Sequence, residues 1–392
     1  MTAEVDPIVV VGSGMAAYTL AREIRKLDKA VPLLIVTRDD GAFYSKPMLS
    51  TAISGGRSAA QLVMHSASAM AAQLTSTVSV STGVDAIDPA RCILRIGERE
   101  VRYRKLVLAV GADPVQPRIP GLLPEDLLQL NDLTDFERLR QALLSRKRVA
   151  ILGAGLIGCE IADDLSRAGF EVTVFDLAPL PLSRLLPPLV SEALRDAMAR
   201  SGVHWQLGNA VQRIDRVGDG FQIQAAQGLP VSVDVVLGAI GLRPRIAMAH
   251  DAGLRTASGI VVDRLMQTSD PHIHAIGDCA ELQGRILPYV MPIMKSARAL
   301  AQTLTGNPTP VVYPAMPIIV KTASLPLAIA PPQCEHAGGW TFEAGPERLK
   351  ALYGDPQAPI GFVLAGQAVG ERSRLERGLP AWIADEVVFE VG

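Results

Sequence analysis

The stretches Ile8-Val9-Val10-Val11-Gly12-Ser13-Gly14-Met15-Ala16-Ala17 and Val149-Ala150-Ile151-Leu152-Gly153-Ala154-Gly155-Leu156-Ile157-Gly158-Cys159-Glu160 decide the fold of this chain. Each is an aliphatic run, then a glycine-rich turn, then a segment with helical patterning. In that context the first glycine (Gly12, Gly153) makes the tight turn, and the second (Gly14, Gly155) lets the backbone approach a pyrophosphate. The third small residue (Ala17, Gly158) lets helix pack on strand, and the helix N-terminus faces the anion. One such motif is weak evidence. Two in one chain imply two dinucleotides on one protein, and the usual reason for that is to pass electrons between them.

Composition sets the frame. At 392 residues, with 48% hydrophobic and 20% charged residues, the chain has material for two or three domains and is not disordered. A net charge of −2 gives no strong field for nucleic acid. Cys92, Cys159, Cys279 and Cys334 are scattered, with no CxxC or CxxxxC pair to suggest a redox disulfide. No apolar stretch nears the ~18–20 residues of a membrane helix. A soluble, cytoplasmic protein is expected, as a monomer or weak homodimer.

Around the fingerprints the patterning predicts strand Ile8–Val11, a helix from Met15 to Leu27 and strand Leu33–Thr37. Tyr44–Ser50 (YSKPMLS) reads as a loop entering a helix, with strands near Val78–Ser81, Ile93–Ile96 and Leu106–Val110. The Pro-rich stretch Pro114–Pro124 punctuates as a linker. The second unit predicts strand Val149–Leu152, a helix to Ala168 stopped by Gly169, and strand Glu171–Asp176. A helix near Val190–Ser201, paired strands at Gln212–Asp215 and Phe221–Ala225, and the apolar strand Val235–Ile240 follow. The strand near Ile273 and a helix from Pro292 to Leu304 must return to the first sheet, so the second dinucleotide fold interrupts the first. The expected fold is α/β, with two nested Rossmann-like domains (1–113 with 241–311, and 114–240) and a C-terminal α+β domain (312–392) built on short runs such as Ile318–Thr322 and Ile360–Leu364.

The acid that ends the second strand of a dinucleotide unit reads the ribose. Asp176 ends EVTVFD at about the ~20-residue spacing from the fingerprint, and it would repel a 2′-phosphate. No Arg or Lys lies within Leu177–Ser183 to bind one, so this site should prefer NAD(H). The first unit shows Thr37-Arg38-Asp39-Asp40 at the corresponding place. Thr37 and Arg38 could reach an adenosine through backbone or side chain, and Asp39 could take the ribose; the sequence does not choose.

The order GxGxxA … SKPxLS … LVLAVGAxP … GAGLIGCE … AIGLRP … IxAIGDCAE resembles the two-dinucleotide FAD/NAD(P) flavoproteins of the disulfide-oxidoreductase type. Within them it is most similar to the rubredoxin–NAD reductases, including the stretches LPYVMPIMKSARALAQTL and YPAMPIIVKT. The resemblance implies that Gly12, Ser13, Gly14, Met15 and Ala16 cradle the FAD pyrophosphate, that Lys46 reaches the flavin side, and that Val84 flanks the adenine. It implies that Asp278 bonds the ribityl chain, that Val290 and Lys321 lie against the ring, and that Glu160 stands between flavin and nicotinamide. Gly111 and Gly241 mark the crossings into and out of the NAD domain. Alternatives stay open for several of these. Lys46 could be a solvated loop lysine, Lys321 a structural ion-pair partner, and Glu160 an ordinary first-turn glutamate. Cys159 and Cys279 read as small packing residues.

The implied activity is electron transfer from NADH through FAD to rubredoxin, supplying an alkane hydroxylase. A ferredoxin or flavorubredoxin reductase, an NADH oxidase-like flavoprotein and an NADH-binding sensor are the alternatives. Disulfide reductases need a cysteine pair, and oxidases of this fold a cysteine in the stretch that here reads GAFYSKPML. Rubredoxins are acidic, so a basic patch would help encounter. Lys295 and Arg298, with Arg22, Arg25, Lys26 and Lys29 of the first helix, are candidates, against the commoner reading of solvated helix faces.

Overall fold

The computed structural model describes residues 6–332 and 338–384, so Cys334 lies outside the described residues, as do the ends of the first and last expected domains. Strand β1 (Ile8–Val11) is fully apolar because it is the centre of a parallel sheet covered on both faces. It leads into helix α1 (Met15–Leu27), which buries Ala17, Leu20, Ala21 and Ile24 along one face. Strands β2 (Leu33–Val36), β3 (Thr77–Ser79) and β4 (Lys105–Leu108) extend the sheet. Strand β2 ends at Val36, one residue earlier than the patterning predicts, although the Thr37 N–H still donates to the Ser79 carbonyl of β3. The YSKPMLS stretch enters a 3-10 helix, Lys46–Thr51, with Pro47 in its first turn.

The chain then leaves this sheet. Gly111 and Gly241, with φ of +71° and +118°, sit beside two short antiparallel strands, Ala112–Pro114 and Leu242–Pro244, where the outgoing and returning chains touch. Beyond them β5 (Leu127–Leu128), helix α2 (Leu133–Leu143), β6 (Arg148–Leu152), helix α3 (Leu156–Arg167), β7 (Glu171–Asp176), helix α4 (Pro188–Arg200), β8 (Val203–Leu207) and β9 (Val235–Gly238) build a second parallel sheet in the order β5-β9-β6-β7-β8. Helix α2 and strand β8 were not legible as elements. Asp132 caps α2 by accepting from the Asp135 N–H at 2.8 Å.

On its return the chain adds β10 (Ile273–Ala275) to the open edge of β4, completing the order β10-β4-β1-β2-β3, all parallel. Helix α5 (Val290–Leu304) then packs on α1. The last part is one antiparallel sheet of β11 (Ile318–Val320), β12 (Leu327–Ala330), β13 (Trp340–Gly345), β14 (Arg348–Asp355) and β15 (Ala358–Gly366), in the order β11-β12-β15-β14-β13, followed by short helical turns at Gln367–Glu376. Its central strands are longer than the short runs expected.

A small apolar core joins the two parallel sheets' territories. Leu49, Ala52 and Leu62 close over Phe136 of α2, which is fully buried. Among the described residues no helix is long and apolar enough to cross a membrane.

Candidate functional site: two matched dinucleotide turns

The two fingerprint turns have nearly the same backbone. Gly12 and Gly153 take φ of +116° and +111°, and the caps Gly14 and Gly155 take φ/ψ of −72°/−174° and −76°/−172°. A Cβ on Gly12 would lie 2.3 Å from the Ala109 carbonyl, and one on Gly153 2.5 Å from the Ala239 carbonyl, so only glycine lets each turn cross the neighbouring strand end. At Gly14 and Gly155 nothing lies within 4 Å of that position. Neither α1 nor α3 has a side-chain cap, and neither carries an acid in its first turn. Uncapped N–H groups therefore face open space at two helix N-termini, the environment a pyrophosphate requires. Both turns fit a dinucleotide.

Around the first turn, Ser13 donates to Asp39 at 2.7 Å and Thr37 donates to the same oxygen at 2.6 Å. The Thr37 N–H and carbonyl are bonded to Ser79 and Thr82, so every polar group of Thr37 is engaged within the protein. Arg38 is exposed, 4.0 Å from Asp113. Met15 is half-buried, Ala16 packs under Gly277, and Val84 sits half-buried against the first core. The Gly277 contact brings the Gly277–Cys279 turn, and Asp278 with it, beside the first fingerprint.

Lys46 faces Asp278. Its ammonium is 4.0 Å from the Asp278 carboxylate and donates to the Asn131 amide oxygen at 2.7 Å. Burial lowers the Lys46 pKa and raises that of Asp278; the facing charge opposes burial in both cases. Asn131 in turn donates to the Ala112 carbonyl at 3.2 Å, fixing its oxygen toward Lys46.

In the second turn Leu156 is half-buried and Ile157 is exposed at the mouth of the site. Gly158 is needed for packing, since a Cβ there would stand 2.0 Å from the Gly153 carbonyl. Asp176 accepts from the Ala154 N–H at 2.5 Å and from the Ala178 N–H at 2.7 Å, which places its carboxylate at the fingerprint itself. The Cys159 thiol donates to the Ala154 carbonyl and the Cys279 thiol to the Leu108 carbonyl, both at 3.4 Å. Burial raises both thiol pKa values, that of Cys279 to about 11, as packing residues behave.

Glu160, one turn into α3, is 1% exposed and is the meeting point of three regions. Ser50 donates to one oxygen at 2.5 Å, the Lys321 N–H donates to the other at 2.9 Å, and the Lys321 ammonium lies 3.3 Å away. Lys321 thus has a protein partner, the ion-pair alternative of the sequence reading. Its ammonium also donates to the Pro47 carbonyl. Val290 begins α5 with its side chain partly exposed. Of the basic residues of α1, Arg22 stacks 4.4 Å over the Phe43 ring, Arg25 donates to the Leu74 and Thr75 carbonyls, and the exposed Lys26 pairs with Glu23 at 2.7 Å. Arg298 lies 3.8 Å from the same Glu23.

Sequence reasoning missed Asn131, Asp163 and Asp164. The last two left a trace, because Glu160, Asp163 and Asp164 put three acids on one side of a largely apolar helix.

Two uncapped dinucleotide turns, a buried glutamate tying the second helix to the Lys46–Thr51 turn and the C-terminal sheet, and a Lys–Asp pair beside the first turn define a pyridine-nucleotide-dependent oxidoreductase. Residues 6–303 match the pyridine nucleotide-disulphide oxidoreductase family, and the chain belongs to that family. Residues 310–379 match the rubredoxin binding C-terminal domain. The chain is 44% identical over 375 residues to the rubredoxin-NAD(+) reductase of Acinetobacter baylyi, covering 93% of this chain and 95% of that one. It is 40% identical to the nitric oxide reductase FlRd-NAD(+) reductase of Aeromonas hydrophila, covering 95% and 96%. A solved ferredoxin reductase for the CYP199A2 system of Rhodopseudomonas palustris shares the fold with a TM-score of 0.86 at 26% identity, over 96% of this chain and 95% of that one.

Proposed function

We infer that this enzyme carries electrons from NADH through FAD to rubredoxin. The observation that carries the reading is the match of residues 310–379 to a rubredoxin-binding domain, joined to the nucleotide fingerprint helix through Lys321 and Glu160. Bound flavin supplies the conversion of a two-electron hydride into single electrons that an iron centre can take. The protein supplies position. The turn Gly12–Ala16, with Lys46, Val84 and Asp278, holds FAD; Gly153–Gly158 and Asp176 hold NADH; Gly111 and Gly241 set where the two units join. Hydride transfer needs no side-chain acid; Glu160 and Ser50 would position the nucleotide rings when the cofactors are bound, and Lys321 ties them to the C-terminal domain.

We place the FAD unit at residues 1–113 and 241–311, the NAD unit at 114–240 and the acceptor domain at 312–392. The two parallel sheets and the antiparallel one support these limits. We propose a cytoplasmic location, supported by the burial of Cys159 and Cys279 as free thiols. An alkane hydroxylase as the final consumer rests on the sequence resemblance alone.

The likeness to the nitric oxide reductase FlRd-NAD(+) reductase favours one second reading, delivery to a flavorubredoxin. Anaerobic, NADH-driven bleaching of rubredoxin, with a flavorubredoxin and a ferredoxin at equal concentration, decides between them. Fast reduction of rubredoxin alone is expected. Flavin reduction with rubredoxin left oxidised would overturn the acceptor and leave the cofactors standing.

A further inference from the structure

Asp163 and Asp164 stand side by side on α3, one turn beyond Glu160, and both are buried. Each makes the same three-bond clamp on a loop from a different part of the molecule. One oxygen of Asp164 accepts from the N–H groups of Ile53 at 2.8 Å and Ser54 at 3.1 Å, and the other accepts from the Ser54 hydroxyl. One oxygen of Asp163 accepts from the N–H groups of Ala323 at 2.6 Å and Ser324 at 3.4 Å, and the other from the Ser324 hydroxyl. The clamped loops are those that bring Ser50 and Lys321 to Glu160. Buried carboxylates are costly without such bonds, so α3 accommodates two here only with both loops seated.

We propose that Asp164 and Asp163 are positioning residues that serve different halves of the reaction. Asp164 seats the Lys46–Ser54 loop, through which it sets Ser50 and Lys46 for the NADH half. Asp163 seats the C-terminal sheet, through which it sets Lys321 and the acceptor domain for electron delivery. The inference rests on the electron-transfer function proposed above.

The test uses flavin-loaded Asp163→Ala, Asp164→Ala and the corresponding Asn variants. An Asn oxygen can replace the one serving two N–H groups, and its NH2 can donate to the serine hydroxyl. Two rates are measured: stopped-flow reduction of bound flavin by NADH, and reduction of purified rubredoxin by the NADH-reduced enzyme. Ferricyanide serves as an acceptor that needs no docking. Asp164→Ala is expected to slow flavin reduction about tenfold, a fraction of what ~1 Å of misplacement can cost, and to leave the rubredoxin step unchanged. Asp163→Ala is expected to slow rubredoxin reduction about tenfold while flavin reduction and ferricyanide turnover hold. The Asn variants restore each rate.

Equal slowing of both halves by both variants overturns the proposal, as does an unaffected half where slowing is expected, or an Asn variant no better than Ala. If an Ala variant does not fold, Ser54→Ala and Ser324→Ala remove one bond from each clamp and must show the same split. A wild-type enzyme that reduces ferricyanide but not rubredoxin overturns the functional reading instead. The Asp164 clamp is then still decided by the flavin reduction rate.

Discussion

Lys46 spans from the start of the 3-10 turn Lys46–Thr51 to Asn131, its ammonium 2.7 Å from the amide oxygen and 4.0 Å from the Asp278 carboxylate. The contact links three separated stretches of chain, since Asn131 precedes α2 and Asp278 follows β10. Lys46 is half-buried, and both partners hold its ammonium in place.

Lys46→Met keeps the aliphatic stem and removes the ammonium, leaving the Asn131 oxygen and the Asp278 carboxyl without their facing charge. Flavin retention should fall at least about tenfold, the size of one lost charge-assisted hydrogen bond. The flavin-to-protein ratio after gel filtration, and FAD titration of the apoprotein, check it. Full retention would remove Lys46 from the flavin site.

Gly14 and Gly158 should respond oppositely to alanine. A Cβ on Gly14 meets nothing within 4 Å, so Gly14→Ala should fold with its thermal midpoint unchanged and lose FAD affinity, because the methyl occupies the approach of the pyrophosphate. A Cβ on Gly158 would lie 2.0 Å from the backbone carbonyl of Gly153. Gly158→Ala should therefore destabilise by roughly 1–3 kcal/mol, the usual cost of overpacking. Thermal melts of the two apoproteins beside FAD titration separate these effects.

The nested parallel sheets were legible because both fingerprints carry their own strand and helix, and glycine spacing is a local signal. Helix α2 was not legible, since it follows a Pro-rich stretch and buries Phe136 against residues of another unit. The lengths of β14 and β15 were hidden for a related reason: their alternation is broken by exposed charges and glycines at the hairpin. Within the site, glycines and Asp278 lay in motifs. Asn131 and the Asp163–Asp164 pair act through loops distant in sequence, and no single window of residues contains both ends of such a bond.

Asp176 should hold the nucleotide preference. Its carboxylate sits on the Ala154 N–H at 2.5 Å, while Leu177 beside it is exposed. Asp176→Ala with Leu177→Arg removes the negative charge and adds a cation where a 2′-phosphate would lie. The ratio of kcat/KM for NADPH over NADH should rise about 100-fold, close to 3 kcal/mol at 1.4 kcal/mol per decade. Steady-state rates with ferricyanide as acceptor measure it without involving the C-terminal domain. A ratio within twofold of wild type would place the ribose elsewhere.

His274 should make folding sensitive to mild acid. It lies in β10, 2% exposed, with no hydrogen-bond partner at Nδ1, and burial, reinforced by the Lys105 ammonium, lowers its pKa from 6.5 to about 4. Between those values the unfolded chain binds the proton and the folded one does not. Stability is therefore complete above pH 6.5 and falls as pH drops toward about 4, by an amount on the order of 3 kcal/mol. His274→Phe keeps a ring in the sheet and removes the titration. Urea midpoints of the two proteins from pH 4.5 to 8 should run parallel above neutrality and converge or cross as the wild type loses stability in acid. Curves that stay parallel throughout would mean that His274 is protonated alike in both states.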